Sequence, residues 1–225
     1  VLNQFDVMLE NAAWELRKVL LLYELDPLGT ELSFGPDSNM IGPDIDVRKA
    51  DGKTTKVIFR GQIDLLVQRT ENPELLLAID FKLSHKDVRW QEVELGSDLQ
   101  FPVYYLVLNK FAENDLSINS SPEKLGALHF ALINKDREKN RSLNGIVSKL
   151  WNSIDADEYQ IKKKVFDEDQ AGDLPKRFMK IIEKQLTQIM SGRCEIEPLR
   201  IGKKTACSYC DFKTSCRIDY TQNSV

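Results

Sequence analysis

The sequence predicts an α/β domain, with a mixed central sheet flanked by helices, and three observations carry that prediction. An amphipathic helix opens the chain, apolar strand-like runs occupy its middle, and helical periodicity returns between and after those runs. With 225 residues the chain is long enough to bury one substantial core.

Over residues 3–24, Phe5, Leu9, Ala12, Leu16, Val19, Leu20 and Tyr23 recur at helical spacing and stop before Asp26-Pro27. A short strand is predicted around Glu31-Leu32-Ser33-Phe34, then a Gly/Pro/Asp-rich loop or hairpin connection from Gly35 to Gly52. Two strands follow, Lys56–Gln68 and Leu75–Leu83, separated by the turn-prone Arg69-Thr70-Glu71-Asn72-Pro73. A second helix is expected over Ser97–Phe111. Pro102 lies near its start, where a missing N–H is tolerated. Leu125–Ile133 reads as a buried strand and Ser142–Ile154 as helix. A last helix is predicted from Asp173 as N-cap, with Pro175 just inside, to Gly192 just past its end. The expected organisation is a core over 1–192, with a helical insertion around 135–192, and a Cys-rich tail over 193–225.

Hydrophobic residues make up 42% of the chain and charged residues 29%, with 31 Lys+Arg against 35 Asp+Glu. That balance excludes a disordered chain, and no apolar run approaches the roughly 20 residues of a membrane span. The chain starts at Val1 without a charged-then-apolar leader, so a cytoplasmic fragment of a longer protein is expected. Charge is uneven: residues 1–50 hold nine acidic and four basic side chains, residues 176–217 ten basic and four acidic. Such a basic stretch either tracks a phosphate backbone or forms a solvated helix face.

All four cysteines, Cys194, Cys207, Cys210 and Cys216, fall in the tail. They are too few and too clustered for a disulfide scaffold, and point to a metal or iron–sulfur site in a reducing compartment. A structural zinc closed by the same four is the rival reading.

The chemistry lies in the strands. Asp64 and Asp80 each interrupt an apolar run, and a buried carboxylate costs several kcal/mol unless it is paired or binds a metal. A divalent cation shared by neighbouring strands is the simplest reason for two. Oxygen ligands without histidine or thiolate on these strands point to Mg²⁺ or Mn²⁺. Asp80 and Lys82 are two apart and project from one face, so the ammonium can orient a water or stabilise charge on a phosphate under attack. Read alone, the same pair is a structural ion pair at a strand end. Gln100 and Tyr104, four apart, share one face of the following helix.

Taken in order, Gly61-x-x-Asp64, Asp80-x-Lys82 and Gln100-x-x-x-Tyr104 resemble the core motifs of the PD-(D/E)XK nuclease superfamily, in its RecB-like branch. The tail Cys207-Ser-Tyr-Cys210-x5-Cys216, with Pro198 upstream, is similar to the cysteine motif closing AddB-type (RexB) nuclease domains. The resemblance covers roughly Glu31 to Asp219 and implies a restriction-endonuclease-like fold. It implies that Asp64 and Asp80 ligate the metal with help from the Phe81 carbonyl, and that Lys82 is the catalytic lysine. Gln100 and Tyr104 would position DNA near the scissile phosphate, and Cys207, Cys210 and Cys216 would hold a 4Fe-4S cluster. The implied activity is a metal-dependent DNA exonuclease acting on single strands from unwound duplex in double-strand-break processing and recombinational repair, beside an AddA-type helicase-nuclease partner.

Two features depart from that pattern. The family's fourth cluster cysteine lies upstream of the first helix and a metal-binding histidine at the start of that helix, whereas this sequence has no cysteine before Cys194 and no histidine before His85. Either the fragment starts too late to include them, the reading favoured by the wide spacing between Cys194 and Cys207, or Cys194 substitutes for the cysteine, and Glu10 or Glu31 can line the site instead. His85 reads as a solvated loop residue and His129 as a satisfied core histidine. Trp14 and Trp151 are candidates to stack on unpaired bases, and Trp90 is the one expected nearest the site. The competing function is a non-catalytic DNA-binding or scaffold module with the same fold.

Overall fold

The computed structural model describes residues 2–38, 40–84, 89–114, 120–133, 144–152, 162–193, 198–201, 204–205, 207 and 210–216. Helix α1 (Leu2–Leu22) forms where its periodicity predicts it; Val19 and, just past its end, Tyr23 are buried on one face of the sheet, while Phe5 and Leu9 stay exposed. Strand β1 (Leu25–Phe34) starts earlier than predicted and contains Pro27. It is an edge strand whose register shifts between Pro27 and Gly29, so the missing proline N–H disrupts no central ladder.

The single strand predicted over Lys56–Gln68 is two. The first, β3 (Thr54–Ile58), pairs with β2 (Asp44–Arg48) in a separate antiparallel hairpin, and the second, β4 (Gly61–Arg69), enters the main sheet. The break falls at Phe59-Arg60, where the Phe59 N–H donates to the Pro43 carbonyl at 3.0 Å. Gly61 follows because a Cβ there would sit 2.7 Å from the Phe34 ring.

Strand β5 (Asn72–Ser84) runs antiparallel to β4 and parallel to β6 (Leu125–Ile133), which makes the sheet mixed. Helices α2 (Trp90–Glu94) and α3 (Gln100–Asn114) form the crossover, with Pro102 in the first turn of α3 as expected. The helix predicted over Ser142–Ile154 is instead strand β7 (Asn144–Ser148) and a short 3-10 turn, Lys149–Asn152. Ile146 and Val147 are buried in the sheet beside β6, and that pairing overrides the weak local preference. Strand β8 (Lys162–Phe166) pairs parallel to β7 and completes the order β1-β4-β5-β6-β7-β8. The stretch 135–192 therefore supplies two strands of the central sheet as well as a helix.

Helix α4 (Glu168–Met190) begins before Asp173. Its N-cap is Asp167, whose carboxylate accepts from the Gln170 N–H while the Gln170 side chain returns to the Asp167 N–H, a capping box. Pro175 thus lies in the helix interior, where it cannot donate to the Ala171 carbonyl. The Tyr105 hydroxyl donates to the Pro122 carbonyl and lies 3.5 Å from that Ala171 oxygen. Gly192, at φ 72°, ends the helix as predicted. Two-residue strands β9 (Arg200–Ile201) and β10 (Lys204–Thr205) and the short helix α5 (Lys213–Cys216) belong to the tail.

One core lies between the sheet, the β2–β3 hairpin, α3 and α4; the other lies under α1 on the opposite sheet face. Among the described residues no helix is long and apolar enough to cross a membrane.

Candidate active site

Alternation along β5 sends Leu76, Ala78, Asp80 and Lys82 to the face covered by α3, and Leu75, Leu77 and Ile79 to the α1 face. The β4–β5 register pairs Leu65 with Ile79, and one step further along it stand Asp64 and Asp80. The β5–β6 register pairs Asp80 with His129. Three adjacent strands therefore carry Asp64, Asp80 and His129 in a row beneath α3. Sheet pairing alone produces this; no sequence spacing encodes it.

Asp80 is 3% exposed. Its Oδ2 lies 2.7 Å from Lys82 Nζ. Its Oδ1 accepts from Gln100 Nε2 at 2.5 Å and from the Tyr104 hydroxyl at 3.1 Å. Gln100 also donates to the Tyr104 oxygen at 3.2 Å, and that hydroxyl is 3.0 Å from the Gln62 carbonyl. The start of α3 is held by Asp98, whose carboxylate accepts the Gln100 N–H at 3.3 Å. Asp64 is half-buried, and its Oδ2 accepts the Phe81 N–H at 2.7 Å. Burial is the main cause that pushes the Tyr104 phenol well above its ordinary pKa, and the negative charges of Asp80 and Asp64 push it the same way. The phenol is therefore a neutral hydrogen-bonding group at any ordinary pH.

The five residues singled out in the strands and α3 are thus brought together. Two carboxylates on one face are a hard-oxygen donor set, and among the described residues no third His, Cys, Asp or Glu joins them in a group able to hold an ion. That suits Mg²⁺ or Mn²⁺, since Mg²⁺ is commonly held by one or two carboxylates with water and substrate phosphate completing its shell. A cleft of about 450 Å³ opens at the start of β4, lined by Ser33, Phe34, Asp37, Arg60 and Gln62 among others, and Gln62 stands two residues before Asp64.

Other candidates fall elsewhere. Trp90 is half-buried against the core, edge-on to Phe166 at 4.9 Å and near Phe178 at 6.2 Å, with the Arg177 guanidinium 5.2 Å from its ring centre. Trp151 is buried and donates to the Lys124 carbonyl, while Trp14 is 55% exposed on α1. Glu31 stands on β1 between Thr30 and Leu32, which pair with Leu65 and Ile63 on either side of Asp64, and its side chain is exposed. His85 and Cys194 lie outside the described residues. Cys207 is buried, Cys216 half-buried and Cys210 exposed, all three are unbridged, and they are not gathered into an ion-binding group.

Sequence reasoning read His129 as a core residue and missed that the core it occupies is the wall of the site. Its Nε2 lies 3.3 Å from Gln100 Oε1 and 3.6 Å from Asp80 Oδ2. The only signal available was a histidine at an inward-facing position of the strand after α3.

Comparison with known proteins places the chain in a family. The chain is 24% identical to an ATP-dependent helicase/deoxyribonuclease subunit from Thermoanaerobacter sp. (strain X514), over 94% of this chain and 21% of that protein. It is 26% identical to the protein of the same name from Lysinibacillus sphaericus (strain C3-41), over 86% of this chain and 20% of that protein, and 26% identical to that from Anoxybacillus flavithermus (strain DSM 21510 / WK1), over 86% and 19%. The chain spans about a fifth of the length of the curated relatives it matches. A model of the PD-(D/E)XK nuclease superfamily matches residues 3–217, nearly the whole chain and every strand of the sheet that carries Asp64 and Asp80, and the chain belongs to that superfamily.

Proposed function

We propose that this chain is a Mg²⁺- or Mn²⁺-dependent deoxyribonuclease module that hydrolyses phosphodiester bonds of single DNA strands. The observation that carries the reading is the side-by-side placement of Asp64 and Asp80 with Lys82 Nζ 2.7 Å from the Asp80 carboxylate. Asp64 and Asp80 would hold the cation, with the Phe81 carbonyl as a further candidate. When bound, the cation lowers the pKa of water and neutralises charge on the scissile phosphate.

The residues divide the remaining work. Gln100 and Tyr104 hold Asp80 Oδ1 from the helix side and leave its buried Oδ2 to Lys82 at 2.7 Å and His129 at 3.6 Å. Lys82, half-buried and two residues on from Asp80, presents an ammonium where charge develops on a phosphate lying over the two carboxylates. The Phe81 N–H keeps Asp64 directed along the strand edge. Arg60, at the cleft beside β4, supplies a cation for the flanking backbone.

The name shared by the relatives, a helicase/deoxyribonuclease component, supports placing the module in a cytoplasmic helicase–nuclease assembly with an AddA-type partner that delivers unwound strands for double-strand-break repair. The division into a nuclease core over 1–192 and a tail over 193–225 is part of the same reading, as is a 4Fe-4S cluster on Cys207, Cys210 and Cys216. A brown protein absorbing in the visible supports that cluster, and a colourless one argues against it.

The deciding assay is degradation of end-labelled single-stranded DNA with Mg²⁺ or Mn²⁺ against EDTA, for the unmodified chain, Asp80→Ala and Lys82→Ala. Metal-dependent cleavage lost in both variants is expected. A second reading, a DNA-binding or scaffold module without catalysis, draws on the basic stretch over 176–217, with ten basic against four acidic side chains. Salt-dependent DNA binding with no metal-dependent cleavage favours it.

A further inference from the structure

We propose that His129 is a positioning residue: it fixes the orientation of the Gln100 carboxamide and, through it, the Asp80 carboxylate. The inference rests on the nuclease reading above and extends it to a residue that none of the three motifs contains.

His129 is 2% exposed, in a strand of otherwise apolar residues. Its position follows from sheet register, which sets it beside Asp80, and from α3, which lays Phe101 on its ring with centroids 4.3 Å apart and planes 32° from parallel. A buried imidazole in such a place costs free energy unless its polar atoms are used. The use is legible from donor and acceptor chemistry. An ionised Asp80 only accepts, so the 2.5 Å contact must be made by the Gln100 NH₂. The other end of that carboxamide is then an oxygen, also only an acceptor, and it faces His129 Nε2 at 3.3 Å. His129 therefore carries its proton on Nε2 and donates it to Gln100 Oε1.

Rotation of the carboxamide by half a turn would bring Oε1 against Asp80 Oδ1, oxygen to oxygen. With its proton on Nε2, His129 adds to that penalty, because the rotated amide would also set its NH₂ against the imidazole N–H. The chain of contacts runs His129 to Gln100 to Asp80, with Tyr104 bracing the same Oδ1. Outer groups that orient a ligating carboxylate typically cost 10–100-fold in metal affinity or activity when removed.

The test uses His129→Leu, His129→Gln, Gln100→Leu and the double variant His129→Leu/Gln100→Leu, each checked for native circular dichroism and melting. Single-turnover cleavage of DNA and Mn²⁺ affinity by calorimetry are read together with the Gln100 side-chain amide resonances. The expected result is a fall of about 10–100-fold in rate or Mn²⁺ affinity for His129→Leu. Recovery to within a few fold is expected in His129→Gln, which can still donate, with no loss in the double variant beyond that of Gln100→Leu. Unchanged rate and affinity in His129→Leu, or additive losses in the double variant, overturn the proposal. If the unmodified chain neither cleaves nor binds Mn²⁺, it is the nuclease reading that fails. The Gln100 amide resonances then decide the positioning role: a shift on His129→Leu that His129→Gln reverses supports it, and unmoved resonances overturn it.

Discussion

The Asp64 carboxylate on one strand accepts the backbone N–H of Phe81, the residue between Asp80 and Lys82 on the next, at 2.7 Å. A side chain thereby does what a backbone carbonyl does elsewhere in the ladder, and the two halves of the site are tied by one bond. Asp64→Asn keeps an oxygen for that N–H and removes only the charge. Melting within about 2 °C of the unmodified chain, on the scale of 2–4 °C per kcal/mol for this size, is expected. Metal-dependent cleavage should fall by at least about 100-fold, the range for loss of a ligand or its support. A large loss of stability would show that charge, and not hydrogen bonding, holds the two strands here.

Lys82 is the counter-ion of a carboxylate that is 3% exposed. Lys82→Met leaves Asp80 Oδ1 with Gln100 and Tyr104 and its Oδ2 with only His129 Nε2 at 3.6 Å, and an incompletely satisfied buried acceptor costs about 1–3 kcal/mol. Melting without metal should fall accordingly. Mn²⁺ should raise the melting temperature of the variant more than that of the unmodified chain, because the added cation replaces the missing one. Equal metal-induced shifts in both proteins would contradict this. Scanning calorimetry with and without Mn²⁺ makes the measurement.

Asp44 at the start of the β2–β3 hairpin accepts from Lys110 of α3 and from Lys56 of β3, and those hydrogen bonds hold its carboxyl down at about 2. A carboxyl with a lowered folded pKa stabilises above its ordinary range near 3.8, and loses that contribution as pH falls toward 2. Asp44→Asn should lower the melting temperature by about 2–4 °C at pH 7, the size of a partly exposed ion pair of up to about 1 kcal/mol. Near pH 2 the difference should vanish. A deficit that persists at pH 2 would assign the effect to packing.

Tyr105 joins the Pro122–Lys124 turn to α4, where Pro175 leaves the Ala171 carbonyl without its helical donor. Its hydroxyl donates to the Pro122 carbonyl and neighbours the Ala171 oxygen that Pro175 cannot serve. Tyr105→Phe should destabilise by about 1–3 kcal/mol, read by urea denaturation. Pro175→Ala restores a helical N–H to Ala171, so the Tyr105→Phe deficit should be smaller in that background. Equal deficits in both backgrounds would show that only the Pro122 bond matters.

Much of the fold was legible because strongly periodic apolar segments declare themselves. α1, α3, β5 and β6 lie where their spacing places them. The failures have local causes. The helix read at Ser142–Ile154 is a strand because pairing with β6 and β8 decides its state, and five residues of weak preference cannot. The N-cap moved from Asp173 to Asp167 because the capping box with Gln170 outcompetes a proline signal that tertiary contacts allow inside the helix. Lys56–Gln68 splits because Gly61 must pass against the Phe34 ring.

By itself the sequence determined which side chains can do chemistry here. Asp64, Asp80 and Lys82 stand where an apolar strand needs a reason for charge, and the two-residue and four-residue spacings of strand and helix put Asp80 with Lys82 and Gln100 with Tyr104. Only the tertiary structure decided which of these pairs meet. Strand register set Asp64 and His129 on either side of Asp80, and the packing of α3 turned Gln100 between the imidazole and the carboxylate. Periodicity is a property of one segment, whereas register and packing are agreements between segments far apart in the chain. That is why Trp90 lies half-buried against the core and His129 beside Gln100 and Asp80.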